Sequence, residues 1–336
     1  MKSPLLRKAT SLAFLPCLLL SCSGQTSYQK TVFAMDTSIS CSAKAGKESE
    51  LDEVLSPFTE IEAYADATYH HYQVVGVYDI NKATSPIEIS EGLYELLSFA
   101  LEMEEATKGY FNPLCLGLDD LWKSSLHPSE KGVSASLPSD SDIQKEVAKI
   151  ANTSLLLTKK EGAYTAYLKA EDSSIGRASL DLGGIAKGYA ARKAKEKAES
   201  YSWKNYYING GNSTMVLGEA EKNDGYFSIT WKDDLPGKKM SLKDTCLSTS
   251  SVTVQGVEIN GKMYSHLINP FTGEASPSIT GVTLVGSDPA MLDAFSTALM
   301  WMGEEDRLAL EKKYDIKAVY YKDGETLRDG IGLLDA

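Results

Sequence analysis

Asp293 and Thr297 stand four positions apart in a segment that is otherwise almost entirely apolar. Four residues make about one helical turn, so in a helix both side chains lie on the same face. Burying a carboxylate without a partner is costly, so either a lysine or arginine neutralises Asp293, or a cation does. A hard cation such as Mg²⁺ binds oxygen, and a carboxylate, a hydroxyl and a backbone carbonyl would suit it.

A second candidate site is the segment Asp181-Leu-Gly-Gly-Ile-Ala-Lys-Gly188. It separates a predicted short strand that ends at Leu180 from the run 189–199, whose Ala, Lys and Glu content favours a helix. Glycines let a ligand approach the backbone closely, and the free N–H groups of a helix's first turn attract anions. The segment therefore predicts a phosphate site, unless its glycines serve packing alone. It matches neither a Gly-x-Gly-x-x-Gly fingerprint nor a phosphate loop that ends in Gly-Lys-Ser/Thr.

Of the four histidines, His266 is the best candidate for a chemical role, because it ends a predicted strand beside a turn rich in proline and glycine. An ordinary structural histidine is the alternative. His70 and His71 are adjacent, so on a regular element they point apart and do not share a metal. One ring of that pair could still stack on a planar ligand. The hydroxyl-rich run 248–251 could hydrogen-bond a phosphate or a ribose.

Hydrophobic spacing predicts the elements that hold these residues. Apolar residues recur at intervals of three and four over 48–67 and 93–107, which indicates two helices. A third helix is predicted from Asp288, a capping residue followed by proline, to Gly303. A further short helix is expected at 141–150, and strands at 31–42, 154–157, 163–168, 205–208, 226–231, 239–242, 245–249, 281–285 and 316–321. With 43% hydrophobic residues, the chain should form one large α/β (mixed α+β) domain or two closely packed lobes.

The N-terminus has the pattern of an export signal: a basic start and then an apolar run, Ala9 to Leu20, which is too short to span a bilayer. The run ends in Leu19-Leu20-Ser21-Cys22, which is similar to a bacterial lipobox. Cleavage before Cys22 and acylation of its thiol would anchor the mature chain in the cell envelope, outside the cytoplasm. The alternative is an ordinary cleaved signal with an incidental cysteine. The predicted organisation is a signal at 1–21, a flexible tether at 22–30 and a folded domain at 31–336.

Charge argues against a nucleic-acid partner, and cysteine content argues against a disulfide framework and a cysteine metal site. The net charge of −12 includes a signal with three basic and no acidic residues, so the mature chain would carry −15. Such an acidic chain is a poor match for nucleic acid, whose phosphates need patches of Lys and Arg. Cys41, Cys115 and Cys246 are too few for a disulfide framework, and none of them belongs to a metal-ligand pair.

Together these motifs resemble the FAD:protein FMN transferases, the ApbE-like flavin transferases of the bacterial envelope. The resemblance covers essentially the whole mature chain, from Met35 to Gly303. It rests on Met35-Asp36-Thr37, Thr107 to Pro113 with Leu121-Trp122, Asp181 to Gly188, Asn209-Gly210-Gly211, Ser265 to Gly273 and Asp293 to Thr297. It implies the family's own mixed α/β fold, with FAD in a cleft and Mg²⁺ on its pyrophosphate.

The resemblance also implies a role for individual residues. Asp293 and Thr297 would bind the metal through their side chains, and Gly184 and Ser296 through backbone oxygens. His266 would lie next to the phosphates, and it is favoured over metal-bound Asp293 as the catalytic base. Contacts with FAD are expected at Met35, His71 or its neighbour Tyr72, Tyr110, Phe111, Asn112, Asp181, Lys187, Asn209, Thr249 and His266.

Members of this family transfer FMN from FAD to a Thr or Ser hydroxyl of a partner protein, forming a phosphoester and releasing AMP. The resemblance therefore predicts a magnesium-dependent transferase that acts on an exported or membrane flavoprotein. Two alternatives stay open: an FAD pyrophosphatase with water as the acceptor, and a lipoprotein that carries FAD without chemistry. The chain departs from the family pattern at Asp36 and Ser251, where glycine is usual, and at Asn112, where Asp is common.

Overall fold

The structure is a computed structural model that describes residues 27–44, 47–126, 136–231 and 233–336. The predicted signal and the predicted lipidation site at Cys22 lie outside these ranges. None of the helices within them has both the length and the apolar composition needed to cross a bilayer.

The described chain contains eight α-helices and sixteen strands. The helices are α1 Glu48–Ala65, α2 Val77–Lys82, α3 Glu91–Ala106, α4 Leu116–Leu126, α5 Asp140–Ala151, α6 Ala186–Ser200, α7 Pro289–Leu299 and α8 Glu304–Tyr314. The strands are β1 Ser27–Ala34, β2 Thr37–Lys44, β3 Ile87–Ile89, β4 Thr153–Lys160, β5 Ala163–Ala170, β6 Tyr206–Gly210, β7 Thr214–Leu217, β8 Phe227–Thr230, β9 Lys238–Leu242, β10 Thr245–Ser251, β11 Val257–Ile259, β12 Lys262–Tyr264, β13 Gly281–Gly286, β14 Lys317–Lys322, β15 Glu325–Asp329 and β16 Leu334–Asp335.

Eight of these strands form one sheet in the order β1-β2-β6-β7-β10-β13-β14-β15. Every neighbouring pair in that sheet is antiparallel. Two smaller sheets, β3-β5-β4 and β16-β9-β8, and the hairpin β11-β12 complete the β structure of the described residues. The predicted class, a single mixed α/β domain, is confirmed.

Helix α6 packs against α1 and α7, and all three helices pack against the large sheet. Their buried side chains, among them Phe58 and Phe295, belong to the main hydrophobic core. Helix α7 begins as predicted, because Asp288 accepts a hydrogen bond from the Ala290 N–H at 3.1 Å and Pro289 occupies the first turn. Nine of its eleven residues are buried, which confirms the prediction of a buried helix.

The predicted single strand over 31–42 is wrong, because the chain forms a hairpin there. Strands β1 and β2 are joined by the two-residue turn Met35-Asp36, and both residues have positive φ, +52° and +58°. Two consecutive positive φ angles match the tight turn that the twist of a hairpin favours. Strand β1 also begins at Ser27 and pairs with β2 from that residue on, so residues 27–30 of the predicted tether are part of the sheet.

Two other predicted elements differ from the structure. The strand expected before Asp181 reduces to a single parallel bridge between Cys115 and Ser179. Helix α7 ends at Leu299 instead of Gly303, and the separate helix α8 that follows was not predicted. Only Leu310 and Glu311 of α8 are buried. Because so little of the helix faces the core, its sequence has almost no apolar stripe from which a helix could be predicted.

Candidate active site

The carboxylate of Asp293 lies in a buried polar network between helices α6 and α7, and the residue is only 6% exposed. Its Oδ2 accepts a hydrogen bond from the Gly188 N–H at 2.8 Å. Its Oδ1 accepts hydrogen bonds from the hydroxyls of Thr214 at 3.1 Å and Ser248 at 3.2 Å. The sequence predicted that a lysine, an arginine or a cation would compensate this charge. The charge of Lys187 supplies part of that compensation, and the neutral donors Gly188, Thr214 and Ser248 supply another part.

These donors do not fully offset the burial of Asp293. Burial raises the pKa of its carboxyl group, while the nearby charge of Lys187 and the hydrogen bonds from Gly188, Thr214 and Ser248 lower it less. Because the net direction is upward, the ionised carboxylate is under-stabilised in this environment. A cation placed beside it would therefore be bound favourably.

A set of hydroxyls extends the network beneath α7. Ser296 donates to the Asp293 carbonyl at 2.9 Å, and its hydroxyl also lies 2.9 Å from that of Ser250. Side chains alternate along a strand, so Ser248 and Ser250 of β10 share the face that α7 covers. Thr249 faces the opposite side, where its hydroxyl bonds to that of Thr283 at 2.9 Å. Thr249, a predicted FAD contact, is thus separated from the other site residues.

The glycine turn before α6 faces the second predicted metal side chain. A Cβ atom on Gly184 would lie 3.7 Å from the Thr297 hydroxyl and 3.5 Å from the ring of Phe111. Thr297 is half-buried, and its hydroxyl makes no hydrogen bond to any residue in the ranges that the structure describes. The turn, the α7 face and the Phe111 ring therefore meet at one place, with the Thr297 oxygen available to a ligand.

The donor types at this place fit Mg²⁺. Thr297 and Asp293 supply a hydroxyl and a carboxylate, and Gly184 carries a backbone oxygen beside them. If α7 continued regularly, the Met300 N–H would donate to the Ser296 carbonyl. It donates to the Ala298 carbonyl instead, so the Ser296 carbonyl does not receive that bond. No group of three or more His, Cys, Asp or Glu side chains suited to a metal occurs in the described chain. Mg²⁺ is commonly held by one or two carboxylates, with substrate oxygens and water completing the shell.

Lys187 and His266 lie close enough to each other to interact electrostatically. The charge of Lys187 acts on both Asp293 and His266. Although the His266 residue is exposed at the surface, desolvation by the surrounding protein and, to a smaller extent, the charge of Lys187 lower its pKa to about 4. The imidazole is therefore neutral at physiological pH and can accept a proton.

The loop that carries His266 is fixed at its base. The Trp122 indole N–H donates to the Gly273 carbonyl at 2.8 Å, and the Gly273 N–H donates to the Asn269 carbonyl at 2.7 Å. The Asn269 side chain also accepts from the Phe271 N–H at 2.9 Å. These bonds explain why a proline- and glycine-rich segment can hold a histidine in a defined position.

Three further predicted FAD contacts lie near the turn. Asp181 accepts a hydrogen bond from the Gly183 N–H at 2.8 Å. Tyr110 meets Phe271 edge-on, with ring centroids 5.1 Å apart. Asn112 donates to Glu104 at 2.9 Å and accepts from the Leu114 N–H at 2.9 Å, so this side chain is already engaged in the turn.

The remaining predicted contacts lie on other segments. Met35 stands at the tip of the β1–β2 hairpin, where its N–H donates to Glu62 at 2.6 Å. Asn209 bonds with Asn212 and closes its own glycine turn. The His71 imidazole lies 3.3 Å from the Asp66 carboxylate. No hydrogen bond, ion pair or ring contact among the described residues joins these three side chains to the Asp293 network.

Two polar residues of this region were not selected from the sequence. Thr214 follows the second glycine turn, and only its contact with Asp293, which is distant in the chain, gives it a role. Asp119 is an acidic residue in the predominantly apolar first half of α4, a signal that could have drawn attention to it.

Comparisons with known proteins are consistent with one another. A sequence model of the ApbE family matches residues 35–320 of this chain. The chain is 25% identical over 280 residues to the FAD:protein FMN transferase of Klebsiella pneumoniae, covering 80% of this chain and 82% of that protein. It is 24% identical over 266 residues to the FAD:protein FMN transferase of Treponema pallidum, covering 75% of this chain and 71% of that protein.

Solved structures match over nearly the full length. The ApbE protein of Thermotoga maritima superposes with a TM-score of 0.73 at 22% identity, covering 93% of this chain and 97% of that one. The flavin transferase ApbE of Vibrio cholerae superposes with a TM-score of 0.68 at 18% identity, covering 93% and 98%. At these identities the superpositions show a shared fold.

Proposed function

The chain belongs to the ApbE family, and on that premise we propose that it is an FAD:protein FMN transferase that uses magnesium. It transfers FMN from FAD to a Thr or Ser hydroxyl of an acceptor protein and releases AMP. The observation that carries this proposal is the close approach of Gly184 to Thr297, on the helix that carries the under-stabilised carboxylate of Asp293. The charge of Lys187 reaches both Asp293 and His266.

The proposed reaction exchanges one phosphorus–oxygen bond for another. The acceptor hydroxyl oxygen bonds to the FMN phosphorus of FAD, and the bond from that phosphorus to the bridging oxygen breaks. AMP leaves with the bridging oxygen, and the acceptor protein keeps FMN as a phosphoester. The hydroxyl proton must pass to a base during this exchange.

His266 is the base that fits these requirements best. Its lowered pKa keeps it unprotonated at neutral pH, and Asp293 is already committed to three hydrogen bonds. Lys187 supplies a positive charge that acts on both residues, which suits the phosphates of FAD. Asp293, Thr297 and the backbone oxygens of Gly184 and Ser296 would hold Mg²⁺, which when bound neutralises pyrophosphate charge and stabilises the leaving group.

A transfer assay tests the proposal directly. The mature chain is incubated with FAD, Mg²⁺ and an exported flavoprotein domain, and the denatured products are separated on a gel. Flavin fluorescence on the acceptor band is expected, together with one AMP per flavin attached. Free FMN and AMP without labelled acceptor would favour an FAD pyrophosphatase, which needs the same site with water as the acceptor. Binding of FAD without any product would favour a carrier lipoprotein.

The proposed location is the cell envelope, with the protein anchored to a membrane through acylated Cys22 and facing away from the cytoplasm. This proposal rests on the basic and apolar start of the chain and on the lipobox-like sequence that ends at Cys22. Labelled palmitate should enter the wild type and not Cys22→Ser. Incorporation into that variant would contradict lipidation at this residue.

A further inference from the structure

A second carboxyl group lies against Asp181, on the helix that runs beside the glycine turn. The Asp181 N–H donates to the Pro113 carbonyl at 2.8 Å, and Cys115 and Ser179 form a parallel bridge. One turn further along α4, the Asp119 N–H bonds to the Cys115 carbonyl at 3.0 Å. This pairing brings the Asp119 carboxyl group within hydrogen-bonding range of the Asp181 side chain.

Two ionised carboxylates at that separation repel each other strongly, so the pair keeps a proton between them. The proton belongs mainly on Asp119. Burial raises its pKa well above the usual value, and the charge of Asp181 and the hydrogen bond between the two groups raise it further. The Asp181 carboxyl group accepts a hydrogen bond from the Gly183 N–H at 2.8 Å.

Charged groups on neighbouring elements do not reverse this assignment. On α4 itself, Asp120 raises the pKa of Asp119, whereas Lys123 lowers it by the smallest contribution. On the neighbouring elements, Glu104 of α3 acts on Cys115, and Glu146 of α5 acts on Asp120. Lys149 of α5 is paired with Glu146 at 2.6 Å. The surroundings are therefore predominantly negative, which favours a neutral Asp119.

We propose that Asp119 is a positioning residue for the nucleotide: its side chain shares a hydrogen bond with the Asp181 side chain and fixes Asp181 for contact with FAD. The inference rests on the proposed function, in which Asp181 contacts FAD. A carboxylate accepts hydrogen bonds only, so Asp181 would receive an N–H or O–H donor of the dinucleotide. Protonation of Asp119 also limits the pair to one negative charge, which reduces repulsion of the pyrophosphate.

Two substitutions separate the hydrogen bond from the charge. Asp119→Asn keeps a donor and is always neutral, whereas Asp119→Val is neutral and has no donor. The dissociation constant of FAD is measured at neutral pH by quenching of flavin fluorescence. Asp119→Val should bind FAD about tenfold more weakly, and Asp119→Asn should stay within about twofold of the wild type. Asp120→Asn, a change at the exposed neighbour on the same helix, is the matched control and should bind normally.

Infrared spectroscopy tests the proton itself on the full chain. The difference spectrum between the wild type and Asp119→Asn at neutral pH should contain the carbonyl band of a protonated carboxyl group. Normal FAD affinity in Asp119→Val, an equal loss in the Val and Asn variants, or the absence of that band would each overturn the inference. If Asp119→Val does not fold, the band and the affinity of Asp119→Asn still decide the question.

Failure of this inference is distinguishable from failure of the proposed function. Unchanged FAD affinity in the Asp119 variants, together with normal flavin transfer, would refute the role of Asp119 alone. Variants that weaken FAD binding as expected, in a chain that never labels an acceptor, would leave the pair intact and refute the transferase.

Discussion

The backbone N–H of Gly188 donates to the carboxylate of Asp293 at 2.8 Å, across a helix crossing so close that only glycine fits. A Cβ atom on residue 188 would lie 2.4 Å from the Cβ of Asp293 and 2.5 Å from the Pro289 carbonyl oxygen. Both neighbours belong to the start of α7 and cannot rotate away. The glycine thus serves packing and at the same time places a donor on the proposed metal ligand.

Gly188→Ala should destabilise the protein by at least about 2 kcal/mol, because α6 and α7 must separate to admit the methyl group. Chemical denaturation measures the loss, and transfer activity should fall with it. Gly303→Ala is the matched control, since a Cβ there meets nothing within 4 Å and should cost less than about 1 kcal/mol. Equal stability of the two variants would contradict the close crossing.

Asp293→Ala and Asp293→Asn should both abolish transfer. Removal of a buried, under-stabilised carboxylate would by itself leave stability unchanged or raised. The hydrogen bonds from Gly188, Thr214 and Ser248 change that expectation, because Asp293→Ala leaves buried donors unpaired, at about 1–3 kcal/mol each where they find no new partner. Denaturant unfolding in metal-free buffer measures this, with the exposed Glu305→Gln as the control. A more stable Asp293→Ala would contradict the network.

Because the pKa of Asp293 is raised, the difference in unfolding free energy between the wild type and Asp293→Asn should depend on pH. The folded state disfavours the ionised carboxylate, so the wild type should gain stability relative to Asp293→Asn as the pH falls through the folded-state pKa. A difference that stays constant with pH would contradict the raised pKa.

Thr297→Val keeps the volume of the side chain and removes the available oxygen near Gly184. Transfer should require roughly tenfold more Mg²⁺, the equivalent of about 1.4 kcal/mol, and should recover in part at high concentration. Thr297→Ser keeps the oxygen and should behave as the wild type. The wild type should be inactive in excess EDTA, and full activity there would exclude the proposed role of the metal.

Activity should persist well below the ordinary pKa of histidine. Because the pKa of His266 is lowered to about 4, the acid limb of single-turnover transfer should lie near that pH. His266→Gln should remove transfer, whereas His70→Gln, at an exposed histidine bonded to Asp79, should not. An acid limb near pH 6.5 would show that His266 has an unperturbed pKa or is not the base.

The local sequence pattern was sufficient to predict features that lie within a single helix or turn. The spacing in α7 predicted a buried helix with Asp293 and Thr297 on one face, and the turn and helix after Asp181 were also predicted. The partners of Asp293 were beyond this reasoning, because Thr214 is 79 residues away and Ser248 is 45 residues away. Their contribution depends on strand pairing, which no local periodicity specifies.

The errors have physical reasons of the same kind. Apolar and polar residues partly alternate over 31–42, which indicated one continuous strand. The hairpin turn was missed because Met35 and Asp36 are not the usual residues for two consecutive positive φ angles. Thr249 was grouped with its hydroxyl neighbours, although the alternation of β10 turns it away from them. Asp119 drew no attention because its partner, Asp181, becomes its neighbour only in the folded chain.

The strand order also has a consequence for how the protein reaches its native state. Strand β2 pairs with β6, so the N-terminal hairpin joins residues far downstream, as in the bond between Gln29 and Tyr207, 178 positions apart. Gly188 and Asp293 are 105 positions apart. Contacts of such long sequence separation close large loops and form slowly. The residues of the proposed nucleotide and metal sites therefore come together only after most of the chain has been synthesised and collapsed, and a truncated or partly folded chain would lack the proposed site.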